Sequence, residues 1–214
     1  VMNWADRPKV SDQNWTSPVG VPVEIMVQLA KETGVSPYIN ITNYAGSDYW
    51  SNLAKLCHDE IPEIPVYVAY SNEPWQRGRK DFYQGTQIEA AAAAYLGTPS
   101  LQDPRYGGAN PWYAAQRYVL AQLYKISDAF RAVYGDAAMN KTVRVVYECQ
   151  SEQPALAADT LAWAWHVYPK PPSHYLWGLM SAPYHGTDKA DVGTKQEIID
   201  GVWTNLNHKV AWGE

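Results

Sequence analysis

The feature that most constrains this chain is its alternation. Short runs rich in β-branched and aromatic residues are separated, from end to end, by stretches with helical spacing. The clearest run is Pro65-Val66-Tyr67-Val68-Ala69-Tyr70-Ser71. It lacks strict polar alternation, as a strand buried on both faces does. Similar runs occur at Tyr38–Thr42, Val143–Cys149, Leu176–Ala182 and Lys209–Trp212, and Val1–Trp4 reads as the tail of another. Between them the spacing predicts helices. Pro22 stands at a first helical position before Val23–Thr33, and Gly34 closes that segment. Ser47 caps Asp48–Glu60, and Asn110-Pro111 opens the longest helix, Trp112–Tyr134. There the apolar positions Trp112, Ala115, Val119, Leu123, Ile126, Phe130 and Val133 step by three or four, and Gly135 ends the run. Pro154–Trp165 and Lys195–His208 complete the helices outside a long polar insertion, Gln76–Asn110, which holds a further one around Gln87–Leu96. A Pro-rich turn, Pro169–Pro172, precedes the Leu176–Ala182 strand.

Strict βα order predicts a parallel sheet with right-handed crossovers in a single domain, residues 1–214, with no internal boundary. A doubly wound sheet and a (β/α)8 barrel both fit. The chain opens and closes on strands, as if cut from a longer cycle. Its 214 residues fall short of the ~250 of a closed eight-fold barrel. The expectation is most of a barrel, with the first and last strands missing.

Composition narrows the function. Apolar residues make up 46% and charged residues 18%, enough for a sizeable core. A net charge of −5 gives no basic footprint for nucleic acid, and no apolar run reaches the ~18 residues of a membrane span. Ten Trp and 16 Tyr stand against 2 Phe. Core packing alone does not favour that skew, whereas wet amphipathic surfaces do. Cys57 and Cys149 are too few for a disulfide framework or a zinc site; Cys57 lies on an apolar helical stripe, as a buried free thiol would. Three sequons, at Asn14, Asn40 and Asn140, point to a secreted, glycosylated chain. Asn14 and Asn140 fall in loops, whereas Asn40 ends a strand. No phosphate loop, HExxH, GxSxG or CxxC is present, and His166, His174 and His185 lack ligand spacing. No metal or cofactor is expected.

In parallel α/β folds, functional groups collect where strands end. Directly after the 65–71 strand comes Asn72-Glu73-Pro74-Trp75. A carboxyl group at an aromatic-lined mouth can be held partly desolvated and protonated, as a general acid must be. A helix-capping Glu is the competing structural reading. The segment Lys209-Val210-Ala211-Trp212-Gly213-Glu214 repeats the pattern, ending on a second Glu. Two carboxyl groups at one end of a barrel are the machinery of glycoside hydrolysis. Tyr184 and His185 fall at the tip of the preceding strand, where they would orient a carboxylate. Glu148 is a third strand-borne acid; Tyr147 and Cys149 on either side leave its direction open, and no role is assigned to it.

The Tyr70-Ser71-Asn72-Glu73 strand end resembles glycoside hydrolase clan A, the retaining (β/α)8 enzymes, and the resemblance covers nearly the whole chain. Tyr38-Ile39-Asn40-Ile41, Asp48-Tyr49, Asn110-Pro111-Trp112-Tyr113 and Ala182-Pro183-Tyr184 are similar to a cellulase-like branch of it. In that clan an Asn-Glu pair ends the fourth barrel strand and the nucleophilic Glu ends the seventh. Counting from the Asn-Glu strand makes Lys209–Trp212 the seventh. The resemblance implies that Glu73 is the acid/base, that Asn72 binds the sugar 2-hydroxyl, and that Glu214 is the nucleophile, about 5–5.5 Å from Glu73. It further implies that Tyr184 or His185 contacts the nucleophile or sugar, that Trp75 and Trp112 are stacking platforms, and that residues 76–110 overhang the cleft. The expected function is retaining cleavage of β-linked polysaccharide or oligosaccharide outside the cell. The alternative is a non-catalytic barrel that binds carbohydrate or serves a structural role in an extracellular assembly.

Overall fold

A computed structural model describes residues 2–15, 20–76, 83–97, 99–106, 110–150, 153–182 and 196. Within them the chain is α/β, with a four-stranded parallel sheet and six α-helices. The elements run α1 (Val23–Thr33), β1 (Tyr38–Ile41), α2 (Ser47–Glu60), β2 (Val66–Tyr70), α3 (Tyr83–Ala93), α4 (Pro111–Tyr134), β3 (Val143–Gln150), α5 (Pro154–Val167), α6 (Pro172–Tyr175) and β4 (Gly178–Ala182).

The strands lie side by side in chain order, β1-β2-β3-β4. Each crossover therefore steps to the neighbouring position in one direction, without the reversal of strand order that defines a doubly wound sheet. Parallel crossovers that share one hand and step in one direction lay their helices along one face. Accordingly α1 packs on α2, α2 on α4, and α4 on α5. Register is fixed by pairs such as Tyr38 with Tyr67, Tyr67 with Arg144, and Glu148 with Met180.

Side chains alternate across the sheet, and the two faces differ sharply. Ile39, Ile41, Val66, Val68, Tyr70, Val143, Val145, Tyr147 and Cys149 join the helices in the main core. Opposite them in the core are Leu53, Ala54 and Cys57 of α2, Leu120, Leu123, Ile126 and Phe130 of α4, and Trp163 of α5. The other face carries Tyr38, Asn40, Tyr67, Ala69, Arg144, Val146, Glu148 and Gln150, a mixture of aromatic, polar and small residues. The Arg144 guanidinium lies 5.0 Å from the Tyr67 ring and 5.3 Å from Trp177, covering the early part of that face.

Helix limits follow local chemistry, with corrections to the sequence reading. Gly34 adopts φ 70°, the left-handed conformation that stops α1, but Pro22 is the residue before the helix rather than its first. Gly46 precedes α2, so Ser47 is inside the helix and does not cap it. Asn110 does cap α4, its Oδ1 accepting the Trp112 N–H at 3.0 Å, a contact worth about 1 kcal/mol. The insertion helix spans Tyr83–Ala93, earlier than the alanine run suggests. β4 begins at Gly178, because Pro172–Tyr175 forms a short helix just before it. The expected strand at Val1–Trp4 reduces to one parallel bridge, Met2 with Ala45, followed by a 3-10 turn at Trp4–Asp6. Apart from residue 196, the helix expected at 195–208 lies outside the described residues, as does the strand at 209–212.

Cys57 and Cys149 are both buried free thiols. No helix among the described residues is long and apolar enough to cross a membrane.

Candidate functional site

The C-terminal ends of β1, β2 and β3 converge on the turn that follows β2. Ser71 continues the ladder, its N–H donating to the Ile41 carbonyl at 2.6 Å. The backbone then turns sharply: Ser71 has φ 67° and Glu73 φ 47°, both in the left-handed region. Non-glycine residues are held there at a cost of about 1–3 kcal/mol each, and such positions concentrate at functional sites. The turn closes with the Gln76 N–H donating to the Glu73 carbonyl at 2.9 Å.

The insertion braces this turn. The Gln84 Oε1 on α3 accepts the Ser71 hydroxyl and, at 3.2 Å, the Asn72 N–H. One turn later, the Gln87 Oε1 accepts from the Asn43 side chain at 3.0 Å. Asn43 in turn offers its carbonyl to the Tyr70 hydroxyl at 3.2 Å. Thus α3 ties together the loops after β1 and β2. Gly85 permits this approach, since a Cβ at that position would collide with the Gln76 carbonyl.

Glu148 enters from β3. Its Oε1 accepts the Tyr38 hydroxyl at 2.6 Å, reaching across β2 where Ala69 presents only a methyl group. The Glu73 backbone and carboxyl lie close enough to act on its charge. Burial raises the Glu148 pKa above the usual carboxylate range; the Tyr38 hydrogen bond and the Glu73 backbone pull it down, and the Glu73 charge pushes it up again. Burial likewise raises the Tyr38 hydroxyl, reinforced by the carboxylate it serves. The result is a pair of carboxyl groups at the same end of adjacent parallel strands, one half-buried and oriented by a phenol.

Of the residues singled out in the sequence, Asn72 and Glu73 stand together on this turn. Asn72 is exposed, with its Oδ1 3.5 Å from the Asn40 Nδ2. Trp112 is half-buried in the first turn of α4, the end of that helix nearest the strand C-termini. Trp75 is only 5% exposed, so its ring faces are occupied by packing and no sugar stacks on it in this arrangement. Glu214, Tyr184 and His185 lie outside the described residues. Asn14, Asn40 and Asn140 are all exposed; Asn40 lies within β1 on the site face, the other two outside regular strands and helices.

The sequence leaves the direction of Glu148 open and gives no role to Tyr38 or Gln84. A signal for Glu148 was present: Val143, Val145, Tyr147 and Cys149 form one apolar set, and Arg144, Glu148 and Gln150 fall on the alternate positions. Period-two counting along the full strand directs Glu148 away from the core. Among the described residues, no three His, Cys, Asp or Glu side chains gather in a way that could hold a metal ion.

No family model, curated protein or solved structure matches the chain.

Proposed function

We propose that this protein is a retaining β-glycoside hydrolase on a (β/α)8 barrel scaffold, with Glu73 as its acid/base. The observation that carries this reading is the Asn72-Glu73 turn: an Asn-Glu pair at the C-terminal end of an interior parallel strand, in a turn whose Ser71 and Glu73 adopt left-handed backbone, with a second carboxyl group beside it. Strand order without reversal, and helices in a continuous layer, support the barrel as the scaffold. The resemblance of the Tyr70-Ser71-Asn72-Glu73 motif to clan A supplies the partner residues.

In this mechanism the Glu73 carboxyl gives its proton to the glycosidic oxygen as that bond breaks, so the leaving sugar departs neutral. Glu214 attacks the anomeric carbon and forms a glycosyl ester. Glu73, now ionised, removes a proton from water, whose oxygen displaces Glu214 and restores both groups. Asn72, exposed at the mouth, bonds the sugar 2-hydroxyl, and Trp112 offers a ring face. Tyr184 and His185 orient the nucleophile. The sequons at Asn14 and Asn140 suit an extracellular enzyme acting on β-linked polysaccharide or oligosaccharide.

A panel of aryl β-glycosides tests the reading. Turnover by the wild-type protein, with kcat/KM for phenyl β-glycosides reduced at least a hundredfold in Glu73→Gln, is the expected result. Carbohydrate binding without turnover, or phenyl glycoside turnover that survives the substitution undiminished, would overturn it in favour of a binding barrel.

A further inference from the structure

The turn after β2 is held from outside the sheet, and the side chain that holds it comes from the insertion. Ser71 and Glu73 adopt φ 67° and 47°, a conformation that non-glycine residues do not select by themselves. Ser71 is 1% exposed, so its hydroxyl needs a partner inside the protein. That partner is the Gln84 Oε1, which also accepts the Asn72 N–H at 3.2 Å. One acceptor atom thus joins the buried hydroxyl to the amide of the residue between the two left-handed ones. Backbone bonds stand on either side of it, from the Ser71 N–H to the Ile41 carbonyl and from the Gln76 N–H to the Glu73 carbonyl.

A helix, rather than a loop, delivers Gln84. Gln84, Ile88 and Ala92 follow at four-residue spacing on α3, and Ile88 and Ala92 are buried in the main core. The two apolar residues anchor the face on which Gln84 is the polar member. Gly85 lets this helix close on the backbone of the turn. A Cβ there would overlap the Gln76 carbonyl and lie 3.2 Å from the Pro74 carbonyl. The Gln87 Oε1 accepts from the Asn43 side chain at 3.0 Å, so the same helix also fixes the loop after β1.

We propose that Gln84 is the positioning residue for the Asn72-Glu73 turn: its Oε1, carried on α3, takes the Ser71 hydroxyl and the Asn72 N–H together and so sets where both side chains stand at the strand mouth. The bond is a property of the folded chain; its catalytic consequence rests on the glycosidase reading. The insertion then works through the turn as well as overhanging the cleft. A displacement of about 1 Å at a reacting group costs up to roughly a hundredfold in rate.

The test has two arms. In the first, Gln84→Glu places a titratable acceptor where the amide oxygen stood, and backbone amide resonances are followed by NMR from pH 3.5 to 8. An amide bonded to a carboxylate moves as that carboxylate titrates. The Asn72 amide is expected to gain a titration absent from the wild-type protein, larger than at any other backbone amide outside α3. An Asn72 amide that titrates as it does in wild type overturns the proposal. In the second arm, Gln84→Met keeps the length of the side chain without its acceptor oxygen. It lowers kcat on a phenyl β-glycoside about tenfold or more with KM within twofold, and Gln84→Glu recovers part of the loss. Wild-type kcat in Gln84→Met, or a loss that Gln84→Glu leaves unchanged, overturns the positioning role. A wild-type protein that hydrolyses no glycoside defeats the glycosidase reading alone, and the amide titration then decides the contact.

Discussion

Glu148 shows how much a single residue's surroundings decide. Its pKa is raised by burial, with the Glu73 charge adding to the effect, so the folded protein holds the Glu148 proton more tightly than the unfolded chain does. Stability therefore falls as pH climbs from the unfolded carboxylate value through the higher folded one. Replacing Glu148 with Gln removes the ionisation. The melting temperature of Glu148→Gln, relative to wild type, is expected to be higher at pH 7.5 than at pH 4. A difference that is flat or opposite in slope, followed by thermal melts across that range, would contradict this account. Gly85 makes a second claim at this scale. A methyl group there meets the Gln76 carbonyl, so Gly85→Ala is expected to cost about 1–3 kcal/mol in denaturant unfolding. It also shifts the amide resonances of Ser71 and Asn72, which Gln84 holds. Asn72 and Glu73 were legible in sequence because a strand-end motif is local. Tyr38 and Gln84 were not, because their roles exist only once β1 and α3 are brought beside the turn.

Among the elements, α4 organises the molecule. It touches α2, α3, α5, β2 and β3, and its middle is buried around most of its circumference. That position explains a residue which helical periodicity could not have placed. Arg117 is fully buried, bonding the Leu101 carbonyl at 2.8 Å and Asp159 of α5 at 3.0 Å. It thereby fastens the 99–106 segment of the insertion to both helices. The Trp163 Nε1 adds a bond to the Ser100 carbonyl at 3.2 Å. Removing one partner of a buried ion pair strands the other, so Arg117→Ala is expected to lose about 3–5 kcal/mol in equilibrium denaturation. A loss below about 1 kcal/mol would show that the pair is dispensable. In the same segment, the Arg105 guanidinium beside Asp103 holds its carboxyl down to about 2. This brace is complete above the ordinary carboxylate range and fails as pH falls toward 2. The apolar stripes of α1, α2 and α4 were readable because each helix has one dominant neighbour direction. The 172–175 helix was hidden within a run of prolines, and the start of α3 was masked by an alanine run that carries no directional signal.

For the molecule as a whole, strand order is the informative property. Alternation of strands and helices fixed a parallel sheet but left open whether it was doubly wound. The order β1-β2-β3-β4 removes the doubly wound alternative within the described strands. It also explains the polarity of the two faces. One face is sealed by helices and apolar throughout; the other gathers Tyr38, Tyr67, Arg144 and Glu148, and its C-terminal end carries Asn72 and Glu73. A parallel sheet with one polar, aromatic-lined face has its chemistry where that face meets the strand ends. The excess of Trp and Tyr over Phe is partly accounted for there, in Tyr38, Tyr67 and Trp177, and partly in the core, where Tyr70, Tyr124, Tyr147 and Trp163 pack.

The central claim is that Glu73 donates the proton to the departing oxygen, and leaving-group dependence tests it most directly. An aryl glycoside whose phenol is strongly acidic departs without protonation; one with a weakly acidic phenol does not. In Glu73→Gln, kcat/KM is expected to fall at least a hundredfold for phenyl β-glycosides and less than tenfold for dinitrophenyl β-glycosides, relative to wild type. An equal loss for both, or no loss for either, would contradict the assignment of Glu73 as the acid.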